Sequence, residues 1–269
     1  MIIVVALDFK KAFDSIDRKR MVETLIKYKI HPYIIDLIAK VYSKDETLVR
    51  IGEEEEKIRV TAGIKQGCTA STVLFKIITF EIIRKLEEEG EEYEIDGIKI
   101  NSLFFADDSI LIGNSVEAIR RNIRVVKDIS RFFGLEINEK KSQILVYKGK
   151  CAETEIEGIK IVHKIKYLGL NLCDEKDIFE TQKKEMIDRA KWRARETYSV
   201  IEKSCNKLMV GKTYWKNGAL PGILKGAELM NFTKYQVGEL QKMENRVYRI
   251  IFGAAGTTPI SAETSLVSM

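Results

Sequence analysis

Hydrophobic and polar positions in the first two thirds of the chain alternate between strand and helix periods. Ile2–Leu7 is a continuous apolar, β-branched run, the pattern of a strand buried on both faces. Met21, Val22, Leu25 and Tyr28 recur at helical spacing, so residues 17–29 are expected to form a helix. Pro32 suits the first turn of a second helix reaching about Tyr42. Thr47–Ile51 and Ile58–Thr61 alternate on either side of Glu53–Glu56, which predicts a hairpin with an acidic, solvated turn. A long helix is expected over Ser71–Glu89. Two short apolar runs, Ile100–Ala106 and Ser109–Ile112, follow with only Asp107 and Asp108 between them. Ser115 is placed to cap a helix whose stripe is Ile119, Ile123, Val126, Ser130 and Phe133, with Gly134 as its stop. Ser142–Tyr147, Ile156–Ile161 and Lys166–Leu172 read as three more strands. Beyond them the period is helical: one long helix over Lys176–Leu208, another from a Thr233 cap to Gly253. The fold class is α+β followed by α, with a domain boundary near residue 172.

The 269 residues suit one large domain or two modest ones. Net charge is +5, too small an excess to identify a nucleic-acid partner by itself. The excess is uneven, however: residues 183–216 hold ten basic and four acidic side chains. No apolar run is long enough to span a membrane, and the N-terminus lacks the basic and small-residue features of a signal peptide. The four cysteines form no Cys-x-x-Cys pair and the two histidines stand far from them, which argues against structural zinc and for reduced thiols inside a cell.

The candidate chemistry lies in carboxylates. Asp8 follows immediately after a buried strand, and Asp107 and Asp108 stand together at a hairpin tip between apolar flanks. Each has an ordinary alternative as a turn, cap or solvated residue. Adjacent carboxylates in a nonpolar surround nevertheless raise their pKa or bind cations. Hard oxygen ligands in this number suit Mg²⁺.

Asp8-Phe-Lys-Lys-Ala-Phe-Asp14 and Phe105-Ala-Asp-Asp108 resemble motifs A and C of reverse transcriptases, especially those of non-LTR (LINE-type) retrotransposons. Gly63-Ile-Lys-Gln-Gly-Cys-Thr-Ala-Ser71 is similar to motif B, Gly134-Leu-Glu-Ile-Asn-Glu-Lys-Lys-Ser142 to motif D, and Ile165-Lys-Tyr-Leu-Gly-Leu170 to motif E, the primer grip. The five motifs stand in the family's order and cover about residues 2–172. Residues Trp215–Ala227 resemble, more weakly, the thumb and post-thumb region of the same elements.

The resemblance implies a right-hand polymerase palm over residues 1–172 and a helical thumb and post-thumb region over residues 173–269. It implies RNA-directed DNA synthesis from an RNA template, a DNA primer and dNTPs, with two Mg²⁺ ions as cofactor and a nuclear location. Asp8, Asp107 and Asp108 become the catalytic carboxylates, with Phe9 counted beside them at the metal site. Phe13 becomes the steric gate against a ribose 2′-hydroxyl. Gln66 and Gly67 would touch the incoming nucleotide and templating base, and Lys141, with Lys140 beside it, would lie near the triphosphate. Tyr167, Leu168 and Gly169 would hold the primer end. Lys183, Lys184, Arg189, Lys191, Arg193 and Arg195 would track template–primer phosphates. The sequence departs from the family pattern in motif C, where Phe105 replaces the usual Tyr, and in motif B at Ala70 and Thr72. Because the chain opens at the motif A strand, the fingers are expected to lie outside it, and the expectation is a fragment with little activity alone. Two rivals stand beside this reading: a catalytically silent, nucleic-acid-binding relic, and a palm polymerase copying RNA into RNA, against which the bulk of Phe13 argues.

Overall fold

The computed structural model describes residues 1–253, which form two compact units, Met1–Gly169 and Leu170 onward. The first unit contains β1 (Ile2–Leu7), α1 (Ala12–Ser15), α2 (Arg18–Lys27), α3 (Pro32–Ser43), β2 (Glu46–Ile51), β3 (Glu54–Arg59) and α4 (Thr69–Glu89). It continues with β4 (Tyr93–Ile95), β5 (Ile98–Ile100), β6 (Ser102–Phe105), β7 (Asp108–Gly113) and α5 (Val116–Phe132). It closes with β8 (Gln143–Tyr147), β9 (Glu155–Ile156), β10 (Ile159–Ile161) and β11 (Lys164–Tyr167). Six strands form one sheet in the order β6-β7-β1-β8-β10-β9. β1 runs antiparallel to both neighbours, β7 and β8, and β10 joins β8 in parallel.

The apolar run of β1 explains its place near the middle of that sheet. Ile3, Val5 and Leu7 enter the core, and Val4 on the opposite face is buried as well. The core is completed by Phe75, Ile78, Ile82 and Leu86 of α4 and by Ile119, Ile123 and Val126 of α5. Ser115 caps α5, its side chain accepting from the Ala118 amide.

Several elements depart from the sequence expectation, each for a local reason. The hairpin of β2 and β3 turns at Gly52-Glu53, so Glu54, Glu55 and Glu56 lie in a strand rather than in the turn. Every residue of β3 is exposed, so no buried face marks its register. The segment Ile156–Ile161 is a hairpin turning at Glu157-Gly158 rather than one strand. Lys166–Leu172 is interrupted in the same way at Leu168-Gly169, both at positive φ. The small hairpin of β4 and β5 was not anticipated, although Asp96-Gly97 at its tip is a typical turn pair.

The second unit contains β12 (Leu170–Cys173), α6 (Glu180–Glu202), α7 (Lys207–Thr213), a π-helical turn (Tyr214–Ala219), α8 (Leu220–Leu224), a short 3₁₀ turn (Ala227–Leu229) and α9 (Lys234–Phe252). Met186, Ala190, Ala194 and Ile201 of α6 pack with Leu240, Val247 and Ile251 of α9 and with Trp215 and Ile223. The predicted helix through Leu208 stops at Glu202, because Asn206 caps a new helix by accepting from the Met209 amide. Leu208 is consequently exposed. The last helix matches expectation: Thr233 forms a capping box with Gln236, and Gly253 at φ 65° ends it. Among the described residues no helix is long and apolar enough to cross a membrane.

Candidate active site

Asp8 is held where β1 ends. Its amide donates to Ser142 Oγ at 3.0 Å, its carbonyl accepts from the Asn138 amide at 2.7 Å, and its Oδ2 accepts from Asn138 Nδ2 at 3.0 Å. The adjoining chain is tied to the same segment by the Phe9–Ile137 bridge and by the Lys10 amide to Glu136 O. The motif D resemblance thus lands against motif A and fixes the orientation of one carboxylate. Asn138 and Ser142 were not singled out as site residues. The signal was present, since both lie within Gly134–Ser142.

Asp107 and Asp108 sit at the tip of the β6–β7 hairpin. Phe105 pairs with Asp108, leaving Ala106-Asp107 as a two-residue turn with Ala106 at φ 55°. The β1–β7 register ends on Leu7 opposite Ser109, so Asp8 and Asp108 are next in line. Sheet pairing therefore brings together carboxylates that are remote in sequence. Burial pushes the Asp108 carboxyl above its ordinary pKa, and the charges of Asp107 and Asp8 push it the same way. The pKa of the Tyr167 hydroxyl is raised as well, by burial first and by the Asp108 charge second, which places this tyrosine within reach of the same field. Leu168 and Gly169 follow at φ 48° and 79°, a tight reversal directly after Tyr167.

Phe13 projects from the short helix α1 and stacks on Phe75, with ring centroids 4.8 Å apart and planes inclined by 14°. The loop before α4 is fastened at four points to α1, the residue after it and the start of α2. Ile64 N donates to Phe13 O at 2.7 Å and Gly63 N to Ile16 O at 2.8 Å. Gln66 Nε2 donates to Asp14 Oδ1 at 3.0 Å, and Arg18 Nε to Gly63 O at 2.7 Å. Gly63 is obligatory here: φ is +81°, and a Cβ would meet the Asp14 carbonyl at 2.6 Å. Gly67, also at positive φ, faces open space, so its bare backbone is approachable from outside.

Arg18 is the hub of this arrangement. Its guanidinium also donates to the carbonyls of Val60 at 2.6 Å and Tyr42 at 3.1 Å, pairs with Asp45 at 2.6 Å, and lies over the Tyr42 ring. Lys65 reaches the other oxygen of Asp45 at 3.1 Å. Burial works to raise the Asp45 carboxyl, but the hydrogen bonds from Lys65 and Arg18 outweigh it and hold the group below its ordinary pKa.

Two clefts adjoin the carboxylates. One, of about 590 Å³, is lined by Phe13, Gln66, Gly67, Cys68 and Asp107, together with Phe9 and Lys11. The other, of about 510 Å³, is lined by Asp8, Asn138 and Lys141, again with Phe9 and Lys11. Lys11 adopts the left-handed region, φ 46° and ψ 49°. For a residue bearing a Cβ that conformation costs roughly 1–2 kcal/mol.

The basic residues of α6 do not form one face. Lys183 is buried, paired with Asp177 and donating to Asn231 O, so it is a packing residue and not a phosphate contact. At about 100° per residue, Lys184, Lys191 and Arg195 share one flank while Arg189 and Arg193 occupy another. Arg189 donates to Gly222 O and Arg193 pairs with Glu196. The basic count over 183–216 missed this because Asp177 and Asn231, which turn Lys183 inward, lie outside the window.

The carboxylates suit a hard divalent cation in donor type and in mutual repulsion, and cation binding relieves that repulsion. Among the described residues, no three His, Cys, Asp or Glu side chains are drawn together closely enough to form a ready-made metal cluster. The arrangement is one of neighbouring carboxylates, one of them destabilised in its charged form.

A mainly antiparallel sheet backed by two long helices, with carboxylates at adjacent strand ends, defines a polymerase palm. Residues 2–172 match the reverse transcriptase (RNA-dependent DNA polymerase) family, and the chain belongs to it, in the non-LTR branch. It is 23% identical over 235 residues to a Retrovirus-related Pol polyprotein from type-1 retrotransposable element R2 of Bradysia coprophila, covering 78% of this chain and 27% of that protein. A Pol polyprotein of the same element type from Popillia japonica is 25% identical over 265 residues, covering 93% of this chain and 42% of the relative. Apo telomerase from Candida tropicalis shares the fold, with a TM-score of 0.53 and 11% identity over 94% of this chain and 41% of that one. The chain therefore spans less than half the length of these relatives.

Proposed function

We propose that this chain carries out RNA-directed DNA synthesis, adding dNTPs to a DNA primer on an RNA template. The observation that supports it most is the pairing of β1 with β7, which sets Asp8 beside the Asp107-Asp108 turn. Asp8, Asp107 and Asp108, with the carbonyl region of Phe9, are the groups that would hold two Mg²⁺ ions. Bound there, Mg²⁺ would favour ionisation of the attacking 3′-hydroxyl and neutralise charge on the leaving pyrophosphate.

The chain's own residues do the rest. Asn138 and Ser142 orient Asp8. The Phe13 ring, backed by Phe75, closes the space that a ribose 2′-hydroxyl would need. Gln66 and Gly67 meet the nucleotide and the templating base, and Lys141 stands toward the triphosphate. Tyr167, Leu168 and Gly169 hold the primer end. In this reading residues 1–172 are the palm and residues 173–269 the thumb and post-thumb region. Lys184, Arg189, Lys191, Arg193 and Arg195 supply the phosphate contacts on the thumb. The family resemblance supports a nuclear site of action.

Primer extension on an RNA template with Mg²⁺ and dNTPs tests the proposal, comparing wild type with Asp8→Asn. Loss of about 4 kcal/mol of charge stabilisation corresponds to roughly a thousandfold slower incorporation. Equal incorporation by the two proteins refutes the assignment. Template binding without any incorporation, even when the chain is fused to the fingers of a related reverse transcriptase, supports the silent relic instead.

A further inference from the structure

We propose that Arg18 and Asp14 are positioning residues for sugar selection, which together fix how far the Gln66–Gly67 wall of the cleft stands from the Phe13 ring. The inference rests on the polymerase reading and adds to it the residues that set the clearance of the gate.

The loop ahead of α4 is pinned at four consecutive residues. Gly63 N donates to Ile16 O, and the Gly63 carbonyl accepts from Arg18 Nε. Ile64 N donates to the carbonyl of Phe13 itself at 2.7 Å. Lys65 reaches one oxygen of Asp45 at 3.1 Å, while Arg18 holds the other at 2.6 Å. Gln66 Nε2 donates to Asp14 Oδ1 at 3.0 Å. Arg18 therefore grips the loop twice, at Gly63 directly and at Lys65 through Asp45. Asp14, beside Phe13 in α1, grips it at Gln66.

A loop that merely joined β3 to α4 would need none of these bonds, because surface connections are ordinarily the least constrained part of a fold. Helix α4 is anchored independently, by Phe75, Ile78 and Ile82 in the core. What the bonds do fix is the cleft, whose lining includes Phe13, Gln66 and Gly67. The Phe13 ring is backed by Phe75 and has little room to retreat. Such a ring excludes a 2′-hydroxyl only while the rest of the lining keeps the sugar against it. A wall free to move outward lets the sugar slip away from the gate. The chemistry of the two grips suits that task. The planar guanidinium fork reaches three carbonyls and a carboxylate at once, which a lysine ammonium cannot match.

Incorporation of dUTP and of UTP, which differ only at the 2′ position, is measured opposite a template adenine in Mg²⁺ buffer. The protein is the full 269-residue chain fused to the fingers of a related reverse transcriptase. Asp14→Ala, Arg18→Lys, Phe13→Ala and Asp8→Asn are compared with wild type, and each is also thermally unfolded. Asp14 is exposed, so Asp14→Ala keeps the proposal falsifiable if Arg18→Lys fails to fold. A packed pocket rejects an added hydroxyl by about a hundredfold, so a loosened wall should cut the preference for dUTP about tenfold in both variants. The change should appear in KM and not in kcat, and neither substitution should reduce the preference further when Phe13 is already alanine. A purely structural role would lower kcat for both nucleotides alike and leave their ratio unchanged. An unchanged ratio in one variant strikes that residue from the assignment, and an unchanged ratio in both overturns it, provided Phe13→Ala is impaired. A Phe13→Ala chain that keeps the preference removes the gate and this inference with it. A wild-type fusion that incorporates neither nucleotide, or an Asp8→Asn fusion that incorporates dUTP normally, overturns the polymerase reading and this inference together.

Discussion

Asp108 is a carboxyl that the fold keeps under electrical stress. Burial, Asp107 and Asp8 all raise its pKa, so the folded protein binds that proton more tightly than the unfolded chain does. Its favourable contribution is complete below the ordinary carboxylate range and disappears as pH rises through the elevated folded value. At neutral pH the ionised group opposes folding. Asp108→Asn should therefore raise the melting temperature at about pH 7 in metal-free buffer and lose that advantage near pH 3, while incorporation falls. A variant that melts below wild type at neutral pH contradicts this. The three aspartates were legible in the sequence because each ends a recognisable apolar run. Their supports were not: Asn138 and Ser142 look like any polar turn residues until their hydrogen bonds to Asp8 are seen. Lys183 misled for a related reason, since helical spacing cannot reveal that Asp177 and Asn231 O draw it inward.

At the scale of elements, α1 and the Gly63–Gly67 loop are hydrogen-bonded into one piece. Arg18 joins that loop to both ends of the exposed β2–β3 hairpin through Val60 O and Asp45. The pair is nearly enclosed, with side-chain exposures of 13% for Arg18 and 10% for Asp45. Removing Arg18 leaves Asp45 with the half-exposed Lys65 alone and the carbonyls of Gly63, Val60 and Tyr42 without their donor, at about 3 kcal/mol. Arg18→Met should lower stability by that amount in urea unfolding, and a loss below 1 kcal/mol would show the hub to be dispensable. The main elements were readable from periodicity and caps, as with Ser115, Thr233 and Gly253. The failures were turns placed inside apparent strands, at Glu157-Gly158 and Leu168-Gly169, and the helix break at Asn206. In each, a few residues of backbone preference overrode an apolar period that continued across them.

At the scale of the whole molecule, the proposed function assigns the palm and the helical unit different kinds of binding. The palm supplies a geometry for charge. The helical unit supplies cations, of which Arg195 is exposed and, among the described residues, without a partner. Arg195→Gln should reduce the salt dependence of template–primer binding by about one counterion. Lys183→Gln should leave that slope unchanged and instead lower stability, and the opposite assignment of effects would restore Lys183 to the binding face. The order of strands in the palm sheet was not readable from sequence, because β1 pairs with strands more than a hundred residues away. The motif order nevertheless anticipated which residues that pairing would unite.

The central claim is that Asp8 and Asp107 act as one site, and a double-substitution cycle tests it most directly. Single-nucleotide incorporation on an RNA template would be measured for Asp8→Asn, Asp107→Asn and the double variant. Groups that function as a unit give losses that do not add. Each single substitution should cost roughly a thousandfold, and the double variant should be no more than a few-fold slower than either single one. Losses that multiply to roughly a millionfold, or a single variant that retains wild-type turnover, would contradict the account.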